Sequence, residues 1–165
     1  MADDTEPGRG RLTADVVLFT KQGGVLAILL VQRGKEPFFA ALALPGGFVE
    51  PGERTADAAA RELGEEAGIV VTRDRLKRFG RYNTRGRDPR GAIESVAFHG
   101  YVAGAPAPVE GGDAAAARWV GLGEFFDVNT AVAFDHRDIV SDAIAHRFGF
   151  RYRVESASDV HFPGF

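Results

Sequence analysis

Three glutamates stand close together in one short stretch of the chain, at positions 62, 65 and 66. On a helix, residues three and four apart are neighbours, so these carboxylates would share one face. Like charges at this spacing repel one another and destabilise the helix unless a cation lies between them. Clustered carboxylate oxygens are hard ligands that suit Mg²⁺ or Mn²⁺. The glutamates therefore indicate either a divalent-metal site or a solvated acidic face, which is the commoner origin of three glutamates taken alone.

The residues around the glutamates predict a helix that follows two tight turns. Leu44-Pro45-Gly46-Gly47 is the first turn, because proline fixes φ and paired glycines permit positive φ. Pro51-Gly52 is the second turn. Thr55 then offers a side-chain oxygen for the helix N-cap, although Glu53 or Arg54 could also begin the helix. Strong helix formers fill 56–67, and Gly68 stands where a C′ glycine would end the helix.

The residue types in this stretch also follow a longer pattern of fixed spacing. The pattern reads Gly47, five residues, Glu53, seven residues, Arg61-Glu62-Leu63, one residue, Glu65-Glu66, one residue and Gly68-Ile69. It resembles the Nudix box, and each of its nine constrained positions matches. The resemblance to Nudix hydrolases favours the metal site over the solvated acidic face.

The resemblance implies a reaction and a role for each matching residue. Nudix hydrolases cleave a nucleoside diphosphate linked to another moiety, and they use divalent cations held by the glutamates of this box. The implied ligands of Mg²⁺ or Mn²⁺ are Glu62, Glu65, Glu66 and the carbonyl of Gly46. Glu53 and Arg61 would form a supporting salt bridge that shapes the loop and the helix, which completes the implied catalytic set. The metals would neutralise the diphosphate oxygens and orient water.

Composition narrows the classes of protein to which the chain could belong. A chain of 165 residues suits one domain, and its formal net charge of −3 gives no argument for a nucleic-acid partner. The absence of cysteine excludes disulfides and thiol catalysis. The longest apolar run, 25–31, is too short to span a bilayer, and the N-terminus lacks a signal-peptide core. We therefore expect a cytoplasmic protein without a membrane partner.

The order of predicted elements agrees with the fold that the resemblance implies. That fold is an α+β, Nudix-like α/β/α sandwich with a mixed curved sheet. We expect flexible tails at 1–12 and 151–165 and one Nudix hydrolase domain at 13–150. The predicted strands are 14–20, 25–32, 69–72, 93–102 and 118–120, the second helix is 135–148, and 123–126 is a turn-like connection.

Arginines outside the glutamate helix are the predicted contacts for an anionic substrate. Arg33 ends a buried strand shortly before the glycine turn. Arg87 and Arg90 belong to the turn 86–91 within a basic stretch, and the planar fork of arginine suits phosphate. For each of them a solvated surface position is the alternative. His136, near the start of the last helix, is either structural or a ligand contact.

Nudix enzymes often draw one more acidic residue from outside the box, as a metal ligand or general base. Glu110 is the first candidate, with Asp113 and Glu94 behind it. An ordinary surface carboxylate is the alternative for each, and the sequence does not choose among them.

The turn 87–91 with the strand that follows it, and the segment 133–136, resemble a bacterial Nudix branch of ADP-ribose pyrophosphatases and ADP-ribose-sensing regulators. The implied reaction is Mg²⁺-dependent hydrolysis of ADP-ribose to AMP and ribose 5-phosphate. The alternatives are a nucleoside triphosphate pyrophosphatase that removes damaged nucleotides, and a module that only senses ADP-ribose. Members of this branch are frequently dimers, so a homodimer is expected by analogy.

Overall fold

The computed structural model describes residues 11–109, 111 and 114–151. Its elements are, in chain order, strands β1 (Arg11–Gln22), β2 (Val25–Arg33), β3 (Leu42–Ala43) and β4 (Gly46–Phe48), helix α1 (Thr55–Ala67), strands β5 (Lys77–Tyr82), β6 (Ile93–Tyr101) and β7 (Ala114–Gly121), and helices α2 (Leu122–Phe126) and α3 (His136–Phe148). Among these described residues, no helix is long and apolar enough to cross a membrane. Residues 1–10 and 152–165 of the predicted tails lie outside the described residues.

Strand β1 is the centre of a seven-stranded mixed sheet. It runs antiparallel to β2 and β4 and parallel to β6. The strand order is β3-β2-β1-β6-β5, with β4 joined to β1 and β7 joined to β2. Within this register Asp15 stands opposite Gly46 on one side and Ala97 on the other. The glycine turn before α1 is therefore tied directly to the middle of the sheet.

The sheet lies between two helical layers, which confirms the predicted sandwich. Because side chains alternate along a strand, β1 sends Val16 and Leu18 to one face and Val17 and Phe19 to the other. The first pair packs in a core with α1, and the second pair packs in a core with α2 and α3. Both cores are built almost wholly of buried aliphatic and aromatic side chains.

Four local predictions differ from the structure. The segment 69–72 has strand-like alternation, with Ile69 and Val71 buried, yet it pairs with no strand of the described residues. The segment 123–126 is part of α2, because one helical turn puts both Leu122 and Phe125 in the core. Arg54, without a side-chain cap, occupies the N-cap position expected for Thr55. Strand β1 begins at Arg11, inside the predicted tail.

Two histidines join the sheet to α3 on the side away from α1. His99 of β6 is 3% exposed, and its Nε2 lies 2.9 Å from Nδ1 of His146. The Phe79 ring packs 5.6 Å from the His99 ring, measured between centroids. Burial, followed by the nearby charge of Arg147, lowers the pKa of His99 to about 4. His99 therefore stays neutral in the folded protein under mildly acidic conditions.

This histidine should make the protein less stable as pH falls. Between pH 6.5 and about 4 the unfolded chain binds a proton at His99 that the folded chain excludes, so stability is lost across that window. We expect His99→Gln to remove on the order of 2 kcal/mol of the loss between pH 7.5 and 4.5. Urea unfolding at a series of pH values measures the free energy of unfolding and therefore this loss. Phe79→Leu, which loosens the same packing without removing an imidazole, should keep the wild-type dependence of the free energy of unfolding on pH. The same pH dependence in wild type and His99→Gln would contradict the assignment.

Candidate active site

A cavity of about 520 Å³ opens beside the glutamate-bearing face of α1. Its walls come from α1, from β1 and β4, from the end of β2, from the turn before β6 and from the start of α3. The lining includes every predicted metal ligand and every predicted substrate contact: Gly46, Glu62, Glu65, Glu66, Arg33, Arg87 and Arg90. The fold thus gathers into one cavity residues that lie far apart in the sequence.

The guanidinium of Arg61 joins the loop before α1 to the helix. It donates from Nε and Nη2 to the two carboxylate oxygens of Glu53, at 2.8 and 3.0 Å, and from Nη2 to the carbonyl of Phe48 at 3.1 Å. Its Nη1 donates to Glu62 at 2.7 Å and to Glu65 at 3.2 Å. The hydrogen bonds between the first pair raise the pKa of Arg61 and lower that of Glu53. This pair is the salt bridge that the resemblance implied.

Glu66 is a partly buried carboxylate held against the glycine turn. Its Oε2 accepts a hydrogen bond from the backbone N–H of Gly46 at 3.1 Å. Burial raises the pKa of Glu66 to about 8, and the charges of Glu62 and Asp15 add to the rise despite that hydrogen bond. Burial likewise raises the pKa of Glu62. A cation placed among these carboxylates would offset the cost of keeping them charged.

Two glycines make room for this carboxylate group. A β-carbon on Gly47 would collide with the Glu62 carboxylate, and one on Gly46 would collide with Asp15 and the carbonyl of Ala14. Backbone and carboxylates can therefore approach closely only because these side chains are absent.

The donor set fits a hard divalent cation. Three glutamates and the Gly46 carbonyl offer only oxygen ligands, as Mg²⁺ and Mn²⁺ prefer. Within residues 11–109, 111 and 114–151, no three carboxylate or imidazole groups already converge on one point. Arg61 stands between Glu62 and Glu65 and neutralises both. Arg61 contacts one oxygen of each carboxylate, so the second oxygen of each can still serve as a metal ligand.

The first residues of α3 hold two of the loops that line the cavity. The guanidinium of Arg87 donates to both oxygens of Asp135, at 2.6 and 2.8 Å, and its side chain is only 4% exposed. Burial acts to lower the pKa of Arg87, but the bonds with Asp135 outweigh it and raise the pKa. Nδ1 of His136 accepts the backbone N–H of Leu44 at 3.0 Å. Burial lowers the pKa of this histidine, which keeps it neutral.

Arg33 is the cavity arginine without a carboxylate partner among the described residues. Its Nε donates to the carbonyl of Pro37 at 2.6 Å, and its guanidinium lies 4.9 Å from the Phe134 ring centroid. Burial, and then the charge of Arg90, lowers the pKa of Arg33. Arg90 itself pairs with Asp88 at 2.7 Å. A bound anion would therefore find its least compensated positive charge at Arg33.

One of the three candidates for an additional acidic residue lies away from this cavity. Glu94 pairs with Arg81 and lies outside the lining of this cavity. Glu110 and Asp113 fall outside the described residues. Their roles stay predictions.

Several cavity residues were not predicted from the sequence. Asp15 interrupts an apolar strand run, which is an available signal for a buried functional carboxylate. Phe48 and Phe134 face each other across Arg90, whose guanidinium lies 5.2 and 5.3 Å from their ring centroids. No periodicity in the sequence distinguishes these two phenylalanines from core residues.

A methyl group at position 47 should disrupt the carboxylate group without replacing any of the predicted metal ligands. Gly47→Ala pushes the Glu62 carboxylate away, so we expect at least about a tenfold loss of Mn²⁺ affinity. Electron paramagnetic resonance of free Mn²⁺ measures the affinity directly.

The matched control is Gly64→Ala, in the exposed face of α1, where an added β-carbon meets nothing within 4 Å. This change should leave the Mn²⁺ affinity unchanged and stabilise the protein by about 0.5–1 kcal/mol, since alanine favours helix over glycine. Unchanged Mn²⁺ affinity in Gly47→Ala would show that Glu62 does not bind the metal.

Comparison with known proteins agrees with this geometry. The model of a family described as NUDIX domain matches residues 9–143. The chain is 40% identical over 124 residues to an ADP-ribose pyrophosphatase of Methanocaldococcus jannaschii, a match that covers 74% of this chain and 68% of that protein. It is 31% identical over 136 residues to the ADPR responsive transcriptional repressor NtrR of Acinetobacter baylyi, covering 81% of this chain and 53% of the repressor.

A solved structure supports the same relationship. The NUDIX domain of Shewanella oneidensis NrtR, in complex with ADP ribose, superposes with a TM-score of 0.76 at 26% sequence identity. The match covers 87% of this chain and 94% of that domain. The family model covers most of the chain, and the fold and the box residues agree with it. The chain therefore belongs to the NUDIX domain family.

Proposed function

We propose that the protein hydrolyses ADP-ribose to AMP and ribose 5-phosphate, with Mg²⁺ or Mn²⁺ as its metal. The observation that carries the proposal is the shared cavity, in which the carboxylates of Glu62, Glu65 and Glu66 line the same space as the guanidinium of Arg33, which forms no ion pair with a carboxylate of the described residues. A diphosphate needs both a cation-binding face and an anion-binding group. The pyrophosphatase relative with 40% identity supports ADP-ribose as the substrate.

The residues that line the cavity would have separate roles in the reaction. Glu62, Glu65, Glu66 and the Gly46 carbonyl would hold the metal. When bound, the metal neutralises the diphosphate oxygens and orients the attacking water. Arg33 binds the phosphate that is not attacked, and the Glu53–Arg61 pair keeps the loop before α1 in place. Arg90, which pairs with Asp88, and the buried Arg87 position the turn before β6 against the substrate.

An ADP-ribose sensor is the rival from another class, since one relative is a repressor. The complete set of box glutamates supports hydrolysis over sensing alone. That the chain forms a homodimer, acts in the cytoplasm and binds no nucleic acid stays a prediction.

A substrate panel tests the proposal. ADP-ribose, nucleoside triphosphates, diadenosine polyphosphates and dinucleotides are offered with Mg²⁺ or Mn²⁺, and products are identified by chromatography. We expect AMP and ribose 5-phosphate from ADP-ribose, at the highest kcat/KM of the panel. A preference for triphosphates would overturn the substrate, and tight ADP-ribose binding without turnover would favour the sensor.

Replacing Glu66 separates catalysis from folding. Glu66→Gln should lower kcat by at least about 100-fold because a metal ligand is lost. Without metal it should be as stable as the wild type or more so, because partial burial and the nearby Glu62 and Asp15 disfavour a charge at position 66. Steady-state rates and thermal unfolding measure the two effects. Full rates in Glu66→Gln would refute the metal assignment.

Arg33 should act on substrate binding more than on the chemical step. Arg33→Gln removes a charge-assisted contact to phosphate, so we expect KM for ADP-ribose to rise about tenfold while kcat changes little. Arg118→Gln, which breaks an exposed pair with Glu124 outside this cavity, is the control and should keep both constants. An unchanged KM in Arg33→Gln would remove Arg33 from the substrate site.

A further inference from the structure

Two buried polar side chains on the cavity wall have no role in the hydrolysis described above. Asp15 projects from β1, and His136 is the first residue of α3. Both line the cavity, although their side chains are only 10% and 4% exposed. Burying polar groups costs free energy unless they form hydrogen bonds, so the hydrogen-bond partners of these two side chains bear on what the cavity binds.

Asp15 has one carboxylate oxygen engaged and one unpaired. Its Oδ2 accepts a hydrogen bond from the hydroxyl of Ser95. Its Oδ1 lies beside Gly46, where a β-carbon would collide with it, and accepts no hydrogen bond from the described residues. This oxygen is an acceptor that adjoins the predicted metal ligands.

His136 supplies the complementary donor. Because its Nδ1 accepts the N–H of Leu44, the proton of the neutral ring is on Nε2. This Nε2–H donates to no group among the described residues, and it lies 4.0 Å from Oδ1 of Asp15. That separation is too long for a direct hydrogen bond. The cavity wall therefore presents an acceptor and a donor side by side, each without a partner in the described chain.

We propose that Asp15 and His136 bind ribose hydroxyls of the substrate, and so determine its specificity for ribose. The assignment rests on the proposed function for its choice of substrate. A hydroxyl donates one hydrogen bond and accepts others, so it can satisfy both groups at once.

The position of the pair favours sugar over base or phosphate. A phosphate oxygen has no proton to donate, and the Asp15 carboxylate would repel it. Asp15 adjoins Gly46, whose carbonyl is a predicted metal ligand beside the cleaved diphosphate. In ADP-ribose the groups esterified to the diphosphate are the two riboses, and the base lies one sugar farther away. Hydroxyls are therefore the groups nearest to this wall.

The test couples a change in the protein to a change in the ligand. Calorimetry gives the Kd of ADP-ribose and of its 2′-deoxy and 2″-deoxy analogues, in Mg²⁺, for Glu66→Gln protein that turns over slowly. One analogue should bind about 10- to 100-fold more weakly than ADP-ribose, because a site built for a hydroxyl is left unpaired without it. The analogue that does so identifies the ribose.

In the second part of the test, Asp15→Asn or His136→Asn is added to the Glu66→Gln protein. Asparagine at position 136 retains an acceptor for the Leu44 N–H. Each should weaken ADP-ribose binding about tenfold or more. Each should change binding of the deoxy analogue that bound weakly in the first part of the test by less than about threefold. Asp57→Asn, an exposed α1 carboxylate paired with Arg54, should weaken neither. A purely structural role for Asp15 and His136 would weaken all ligands equally.

Three results would overturn the proposal. The Asp15 or His136 substitution could weaken all ligands equally, or the Glu66→Gln protein could bind all three ligands equally or bind none of them. Failure of the proposed hydrolysis is distinguishable, because it is measured as turnover by the wild type. A protein that binds ADP-ribose with the expected hydroxyl coupling but does not cleave it would retain this site and lose the hydrolase assignment.

Discussion

The active-site region depends first on how one guanidinium is shared among carboxylates. Arg61 ties Glu53 in the loop to Glu62 and Glu65 on α1, and it also holds the Phe48 carbonyl at the end of β4. Without a cation in that place, adjacent carboxylates on one helix face would repel one another. The same side chain therefore orders the loop and reduces the electrostatic cost of the metal face.

The second constraint is the start of α3, which fixes two loops from the opposite side of the cavity. Asp135 binds the turn before β6 through Arg87, and His136 binds the glycine turn through Leu44. The proposed metal-binding and substrate-binding faces of the cavity are thereby both attached to the same helix end. A shift of that end would move both faces together, so their relative spacing is preserved.

The sequence predicts the parts of the protein whose geometry is local. The α1 helix and the strands that become β1 and β2 follow from spacing and turn chemistry, whereas the Glu53–Arg61 pair was implied by the resemblance; all of them occur in the structure. The segment 69–72 illustrates the limit, because alternation alone cannot supply a neighbouring strand. Asp15 is another case: its proposed role depends on neighbours 31 to 121 residues away, from Gly46 to His136, which no local pattern specifies.

The buried pairing of Arg87 with Asp135 also constrains how this chain can vary. Losing either partner alone would leave a charge stranded away from water, which typically destabilises a protein by about 3–5 kcal/mol. The two positions, 48 residues apart, should therefore be exchangeable only as a unit, either swapped in sign or replaced together by apolar groups. Co-variation of these two positions among relatives would record that restriction as an evolutionary signature of the fold.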